Sequence, residues 1–238
     1  MAADLPNTKE APLAPPVSAF DWTGFYVGVN SGYGLDHVSL PYILTLPGGT
    51  ASGVSAMTER GPLFGGQVGY NYELENVPLL GHAVVGIEAD SDWADINGSA
   101  GAATPFGSAV FGTRIENFGT LRGRVGYNFD RLLLYIGGGI SYATVESYYS
   151  GPGYSSATTT TRLPLRFSAY TIGAEYALSN NWTIRAEYMC DYIRADWNDY
   201  YPAPGVVVNF PSRATFHMAR IGLNYKFDLF APTSILTK

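Results

Sequence analysis

A closed, all-β barrel of eight antiparallel, up-and-down strands is the fold class this 238-residue sequence predicts, and three observations carry the prediction. Apolar and polar residues alternate with period two in eight separate stretches between Trp22 and Phe227. The connections between those stretches alternate strictly between long and short. The composition pairs 46% hydrophobic residues with only 14% charged ones, and glycine (28), tyrosine (18) and phenylalanine (12) are heavily used. An ordinary soluble domain has about 25% charged residues. No run of about 18 apolar residues occurs, so a membrane-spanning helix is excluded, and no helix-period segment competes with the strands.

The elements follow in order. In residues 22–34, Phe25, Val27, Val29 and Tyr33 share one face, while Tyr26, Asn30 and four glycines share the other. In 63–73, Phe64, Val68, Tyr70 and Tyr72 alternate with Gln67, Asn71 and Glu73. Residues 81–93 set Ala83, Val85, Ile87, Ala89 and Trp93 against Glu88, Asp90 and Asp92. The stretch ending at Phe129 opposes Leu121, Val125 and Tyr127 to Arg122, Arg124 and Asn128. Residues 131–142 present Leu132, Leu134, Ile136, Ile140 and Tyr142. In 170–178, Tyr170, Ile172, Ala174 and Tyr176 oppose Glu175, and in 181–192 Trp182, Ile184, Ala186 and Tyr188 oppose Arg185, Glu187 and Asp191. The last stretch, 215–227, sets Ala219, Ile221, Leu223, Tyr225 and Phe227 against Arg220, Asn224 and Lys226. Residues 36–61, 94–112, 146–166 and 193–214 read as long loops. Residues 74–80, Asp130-Arg131 and Ser179-Asn180 read as tight turns.

Alternation alone permits two barrels. A soluble barrel would turn its apolar face inward around a ligand; a membrane barrel turns it outward to lipid. The membrane barrel is favoured on three grounds. Aromatic residues (Trp22, Tyr33, Tyr72, Trp93, Phe129, Tyr142, Trp182, Tyr192 and Phe227) fall near strand ends, where two interfacial girdles would lie. Each stretch of about ten residues, tilted ~45°, spans roughly 24 Å, close to the ~25 Å apolar band. The polar face carries matched charges, Glu88, Asp90, Glu175 and Glu187 against Arg122, Arg124, Arg185 and Arg220. Lipid-facing arginines would cost about 2–4 kcal/mol each at mid-depth. These eight residues are therefore assigned to a lumen salt-bridge network. An eight-stranded interior is just wide enough for side chains to fill it, so filling rather than ion conduction is expected.

The remaining chemistry is sparse. A net charge of −6 without a basic cluster argues against nucleic acid. The single cysteine, Cys190, excludes an intramolecular disulfide and is placed on the lipid face as a small apolar filler. No residue spacing suggests a metal or a cofactor, and His37, His82 and His217 lie on different segments without a nucleophile. No enzymatic constellation is expected. Residues 1–21, rich in Pro and Ala, form a tether ahead of the barrel at 22–227, and residues 228–238 form a short tail. The start Met1-Ala2-Ala3-Asp4 lacks the basic and apolar regions of a signal peptide and reads as a processed end.

The blocks WTGFYVGVNSGYG, GIEADSDW, TLRGRVGYNFDRLLLYIGGGISY, GAEYALSNNWTIRAEY and RIGLNYKF, in that order across residues 22–227, resemble the alphaproteobacterial outer-membrane immunogenic or porin-like proteins, a group of OmpA-type eight-stranded barrels. The resemblance implies a bacterial outer-membrane location with the signal peptide removed, periplasmic termini and turns, and long extracellular loops. It implies contact with outer-membrane lipid and lipopolysaccharide, insertion by the barrel-assembly machinery, and a role in envelope integrity or as a surface antigen. Relatives whose mature chain begins Ala-Asp are joined through that amine to peptidoglycan, so Ala3 and Asp4 are the candidate attachment point. Seventeen extended residues would reach about 50 Å. Tyr225 and Phe227 match the terminal aromatic assembly signal, although eleven residues follow and Phe230 offers a second candidate. Hemin binding in a few relatives points to His37, Tyr148, Tyr149, Tyr154, Tyr200 and Tyr201, and a narrow porin is a further alternative.

Overall fold

The computed structural model describes residues 20–77, 81–105, 107–151, 154–203 and 206–227. Side chains at 38–40, 75–77, 81, 104, 154–168, 193–203 and 206–214 lie outside the description. The strands are β1 (Gly24–Leu46), β2 (Gly49–Val77), β3 (Gly81–Thr104), β4 (Gly107–Phe129), β5 (Leu132–Gly151), β6 (Tyr154–Ala177), β7 (Trp182–Ala203) and β8 (Val206–Phe227). Each pairs antiparallel with its sequence neighbours, and β8 returns to β1 (Phe25 opposite Phe227, Leu35 opposite His217), which closes the barrel.

The period-two pattern sets the two faces. Val27, Ile87, Ile136, Ile172 and Ile221 point outward and stay 45–65% exposed, while the alternate positions are buried. A soluble monomer rarely presents a continuous apolar surface of this kind. Lipid covers it. Tyr72, Phe129, Trp182 and Phe227 bound this band at one rim, and Tyr33, Trp93 and Tyr192 bound it at the other; all are exposed. The membrane-spanning segments lie between these rings.

Trp22 departs from the expected girdle. Its side chain is only 1% exposed and packs with Phe20, Val84, Leu133, Tyr135 and Ala177 into a plug across the periplasmic mouth. The indole donates from Nε1 to the Asp130 carbonyl (2.9 Å), and the Trp22 amide donates to Glu73 Oε2 (3.1 Å). The indole N–H finds its acceptor only by turning under the barrel rim, which outweighs an interfacial position. The amide of Phe20 is likewise held by Asp130 Oδ1, at 3.1 Å.

The strands also run further than the alternation suggested. They are 20–29 residues long. At ~3.3 Å per residue and ~45° tilt, 22 residues span roughly 50 Å, twice the apolar band. The excess lies on the long-connection side. There the stretch read as a loop at 36–61 continues β1 and β2 as a ladder from Asp36–Glu59 to Leu46–Gly49. The 94–112 stretch likewise continues β3 and β4 up to Thr104–Gly107, with positive φ at Gly49 and Gly107 closing the hairpins. Within these stretches residues 47–56 and 97–109 are rich in Gly, Ser, Ala and Thr rather than in a strong apolar alternation, because no lipid faces them. The short turn at Asp130-Arg131 uses a positive φ of 59° at Asp130, which aspartate tolerates.

One boundary is shorter than the others. β6 and β7 pair only from Ala177–Thr183 to Ala169–Asp191, although β7 and β8 continue together to Ala203–Val206. Register shifts at Gly139/Ile140 and Ser141/Ala143 bend β6 along β5 at the point where it leaves β7.

Candidate functional site: a filled and sealed lumen

Inward positions of β3, β4, β6, β7 and β8 converge at mid-height. Glu88, Asp90, Arg122, Arg124, Glu175, Arg185, Glu187 and Arg220 are all at most 7% exposed and lie in one ion-pair network. Arg122 pairs with Glu88, Asp90 (3.1 Å) and Glu187 (3.3 Å), and donates to Thr171 Oγ1 at 2.7 Å. Arg124 reaches Glu175 at 3.0 Å and donates to Asn71 Oδ1, also at 3.0 Å. Its guanidinium lies over the rings of Tyr26 and Tyr135, 4.9 and 5.1 Å from their centroids. Arg185 pairs with Glu88 and approaches Glu187 at 3.7 Å. Arg220 pairs with Glu187, with Asp90 (3.1 Å) and with Asp92 (2.7 Å).

Sequence reasoning placed Asp92 on the polar face but left it out of the network. It also missed the neutral partners: the Tyr135 hydroxyl donates to Glu187 at 2.9 Å, the Tyr26 hydroxyl to Glu88, and Asn224 Nδ2 to Glu175 at 2.8 Å. Parity was their signal, since Tyr26 shares its face with the strand-one glycines. Gly28 shows why those glycines are needed: a Cβ there would sit 2.1 Å from Asn224 Oδ1 and 2.6 Å from Gln67 Nε2. Gln67 donates to that Asn224 oxygen at 2.6 Å and accepts from Asn30 at 2.7 Å, so the amide chain crosses β1, β2 and β8 where the barrel closes.

Two apolar layers lie in series above this network, in addition to the plug beneath it. Leu63, Ile96, Ile115, Phe118, Ala143, Val145, Met189, Phe216 and Met218 form one cluster at the height of the upper aromatic ring. Tyr42, Leu44, Ala109, Phe111 and Tyr149 form a second in the extracellular extension. Tyr149 is fully buried there, so it is a core residue, whereas Tyr148 is 39% exposed. His37 is exposed, with Nδ1 3.0 Å from Thr58 Oγ1. The side chains of Tyr154, Tyr200 and Tyr201 lie outside the described residues, as do Ala3, Asp4 and Phe230.

Between the two apolar layers, Asp36 and Glu59 face each other across β1 and β2, at 2% and 4% exposure. Burial pushes the Glu59 carboxyl up to about 7; the hydrogen bond from Thr113 opposes that shift and the charge of Asp36 adds to it. Burial raises Asp36 as well. Cys190 lies on the outward face, half-buried opposite Tyr170. Tyr225 and Phe227 stand at the end of β8 with rings 5.1 Å apart, Tyr225 also against Trp182. Among the described residues no group of three His, Cys, Asp or Glu side chains is disposed to hold a metal ion, and no helix is long and apolar enough to cross a membrane.

Fold and interior together define a closed membrane barrel filled by its own side chains. The family model for the outer membrane protein beta-barrel domain matches residues 12–227. The chain is 36% identical over 238 residues to the 31 kDa outer-membrane immunogenic protein of Brucella melitensis, covering 95% of this chain and 93% of that one. It is 30% identical over 196 residues to the 22 kDa outer membrane protein of Rhizobium leguminosarum bv. viciae, covering 80% and 72%. Among solved structures it is similar to OprG from Pseudomonas aeruginosa, at 14% identity, 86% and 96% coverage and a TM-score of 0.43. The chain therefore belongs to the outer membrane protein β-barrel family, and it is an outer-membrane protein.

Proposed function

We propose that this protein is a structural barrel of the outer membrane that supports envelope integrity and is tied to peptidoglycan through its amino-terminal segment. The observation that carries the reading is the sealed lumen. Among the described residues a plug, a charge network and two apolar layers of buried side chains occupy the interior in series. Such a cylinder acts by its presence in the membrane and by what it holds at its ends.

The tether draws support from how Phe20 and Trp22 are held. Phe20 and Trp22 are fixed under the periplasmic mouth by Asp130 and Glu73. Lys226 Nζ adds a hydrogen bond to the Asp21 carbonyl at 2.6 Å and lies over the Phe20 ring. Phe20 and Trp22 are thus anchored at the rim that the proposal turns toward the cell wall, where a pull would meet the barrel floor. The surface-antigen role fits the extracellular hairpins, since the Brucella relative is named as immunogenic.

Sacculi boiled in detergent test the reading. The expected result is that the chain stays on them until muramidase digestion and then yields an Ala3-linked muropeptide. A chain lacking residues 3–19 would wash off, and cells carrying it would become detergent-sensitive. Complete release of the intact chain by detergent, with detergent resistance unchanged in the deletion strain, would sink the proposal.

A further inference from the structure

One tier of the interior is acidic and has no counter-charge. Above the apolar layer around Ile115 and Phe216, and below the one around Phe111 and Tyr149, the ladder sets Asp36, Glu59, Gly98, Thr113 and Ser147 side by side on β1 to β5. Asp191, opposite Phe216 on β7, brings a third buried carboxylate to the same height. Every carboxylate of the mid-height network meets an arginine. Among the described residues neither Asp36 nor Glu59 has a lysine or arginine within salt-bridge distance. His37 and His217 act on Asp36 only from outward, exposed positions on β1 and β8.

The hydrogen bonds of this tier are incomplete as well. Thr113 donates its hydroxyl to Glu59 Oε1 across Gly98, where a Cβ would stand 2.9 Å from Glu59 Cγ. Asp36 Oδ2 is buried and accepts no hydrogen bond. A buried carboxylate with neither donor nor counter-ion is costly, and a cation that also donates hydrogen bonds removes both deficits.

The wall beside Asp36 is where strand pairing lapses. The β1–β8 ladder stops at Leu35–His217 and resumes in the same register at Ile43–Asn209, so Pro41 stands opposite Pro211 in the interruption. A proline is tolerated in a sheet where its missing N–H faces an unpaired side. At the same height β6 leaves β7, at Ala169–Asp191. Among the described residues, the β7–β8 hairpin is thus laddered to itself, and over 192–203 and 210–216 to neither neighbour. The acid tier therefore has a side entrance above the membrane.

We infer that this tier is a binding site for an organic ammonium ion, with the charged head on Asp36 and Glu59 and the hydrocarbon part against the apolar layers. An ammonium head brings three donors to carboxylates that lack them. The acids are not grouped to hold a metal ion, and apolar layers above and below suit a ligand with a hydrocarbon body. The inference does not rest on the peptidoglycan tether, and the lumen beneath the tier stays closed.

The test is calorimetric titration of the full chain, refolded in dodecyl maltoside, with n-hexylamine and, in parallel, with n-hexanol and with calcium chloride. Hexylamine alone is expected to bind saturably at pH 8. At pH 5 its affinity should fall about a hundredfold, because the head must displace the proton from a Glu59 carboxyl that titrates near 7. The amine stays charged at both values, as a lysine side chain does. Glu59→Gln and Asp36→Asn should each weaken binding at pH 8 roughly tenfold, the loss expected for a charge-assisted contact. Asp95→Asn, on the outside of the wall, should bind like wild type. Each variant is first shown to keep its heat-modifiable migration, and Asp36→Asn alone serves if Glu59→Gln does not fold. No heat beyond that of empty micelles, binding of hexanol or calcium in place of the amine, equal affinity at the two pH values, or acid-tier variants that bind like wild type would overturn the assignment.

Discussion

Glu59 is the residue whose chemistry depends most directly on the barrel running past the membrane. In a solvated loop, as residues 36–61 read in sequence, its carboxyl would sit near 4.5. The ladder instead carries it inward beside Asp36 and lifts it to about 7. A raised carboxyl binds its proton more tightly in the folded state. The stability it contributes is therefore complete below about 4.5 and is lost as pH rises through about 7. The β1–β2 extension should resist proteolysis better at pH 5 than at pH 8, and Glu59→Gln should abolish most of that difference. A wild-type cleavage rate that does not vary between these values, after correction for protease activity, would count against a buried pair. The lumen arginines behave differently. Parity and sign made them legible in sequence, because a charge in a period-two apolar stretch has only one face available. Asp36 and Glu59 had no such frame, as they lie where no apolar alternation marks the strand.

At the scale of elements, sequence located each strand by its lipid-facing half and missed the half in water. Lipid requires an apolar outer face, and that requirement writes the alternation; above the headgroups it lapses, and Gly, Ser and Thr suffice to keep the ladder. The same limit explains Trp22. An aromatic at a strand end reads as a girdle residue, and only the path of the preceding Phe20 and Asp21 shows that it turns inside. The plug makes this segment part of the barrel's stability. Trp22→Ala would leave a cavity among Val84, Leu133 and Ala177 and strip the Asp130 carbonyl of a donor. A loss of about 3–5 kcal/mol is expected for truncating a buried aromatic of this size. Urea unfolding of the refolded barrel, followed by Trp fluorescence and by gel migration, measures it. Unchanged midpoints would mean that the plug is a loose lid.

Over the whole molecule, the interior obstructions act in series. A current must pass the periplasmic plug, then the layer where Arg122, Arg124, Arg185 and Arg220 meet their carboxylates, then the cluster around Met189, Phe216 and Met218, then the one around Phe111. Removing one obstruction leaves the others in place. The charge layer is the hardest to open, because freeing any one arginine exposes buried carboxylates that no longer have a partner, a cost of about 3–5 kcal/mol. Wild-type protein in planar bilayers should give no stable conductance steps. A chain lacking residues 1–22 should be less stable yet equally silent, since the layers above its missing plug remain closed. Discrete, reproducible steps in the truncated chain alone would show that the plug is a gate across an open path. Steps in both chains would show that the network rearranges to pass ions, and the barrel would then be a narrow pore rather than a filled post.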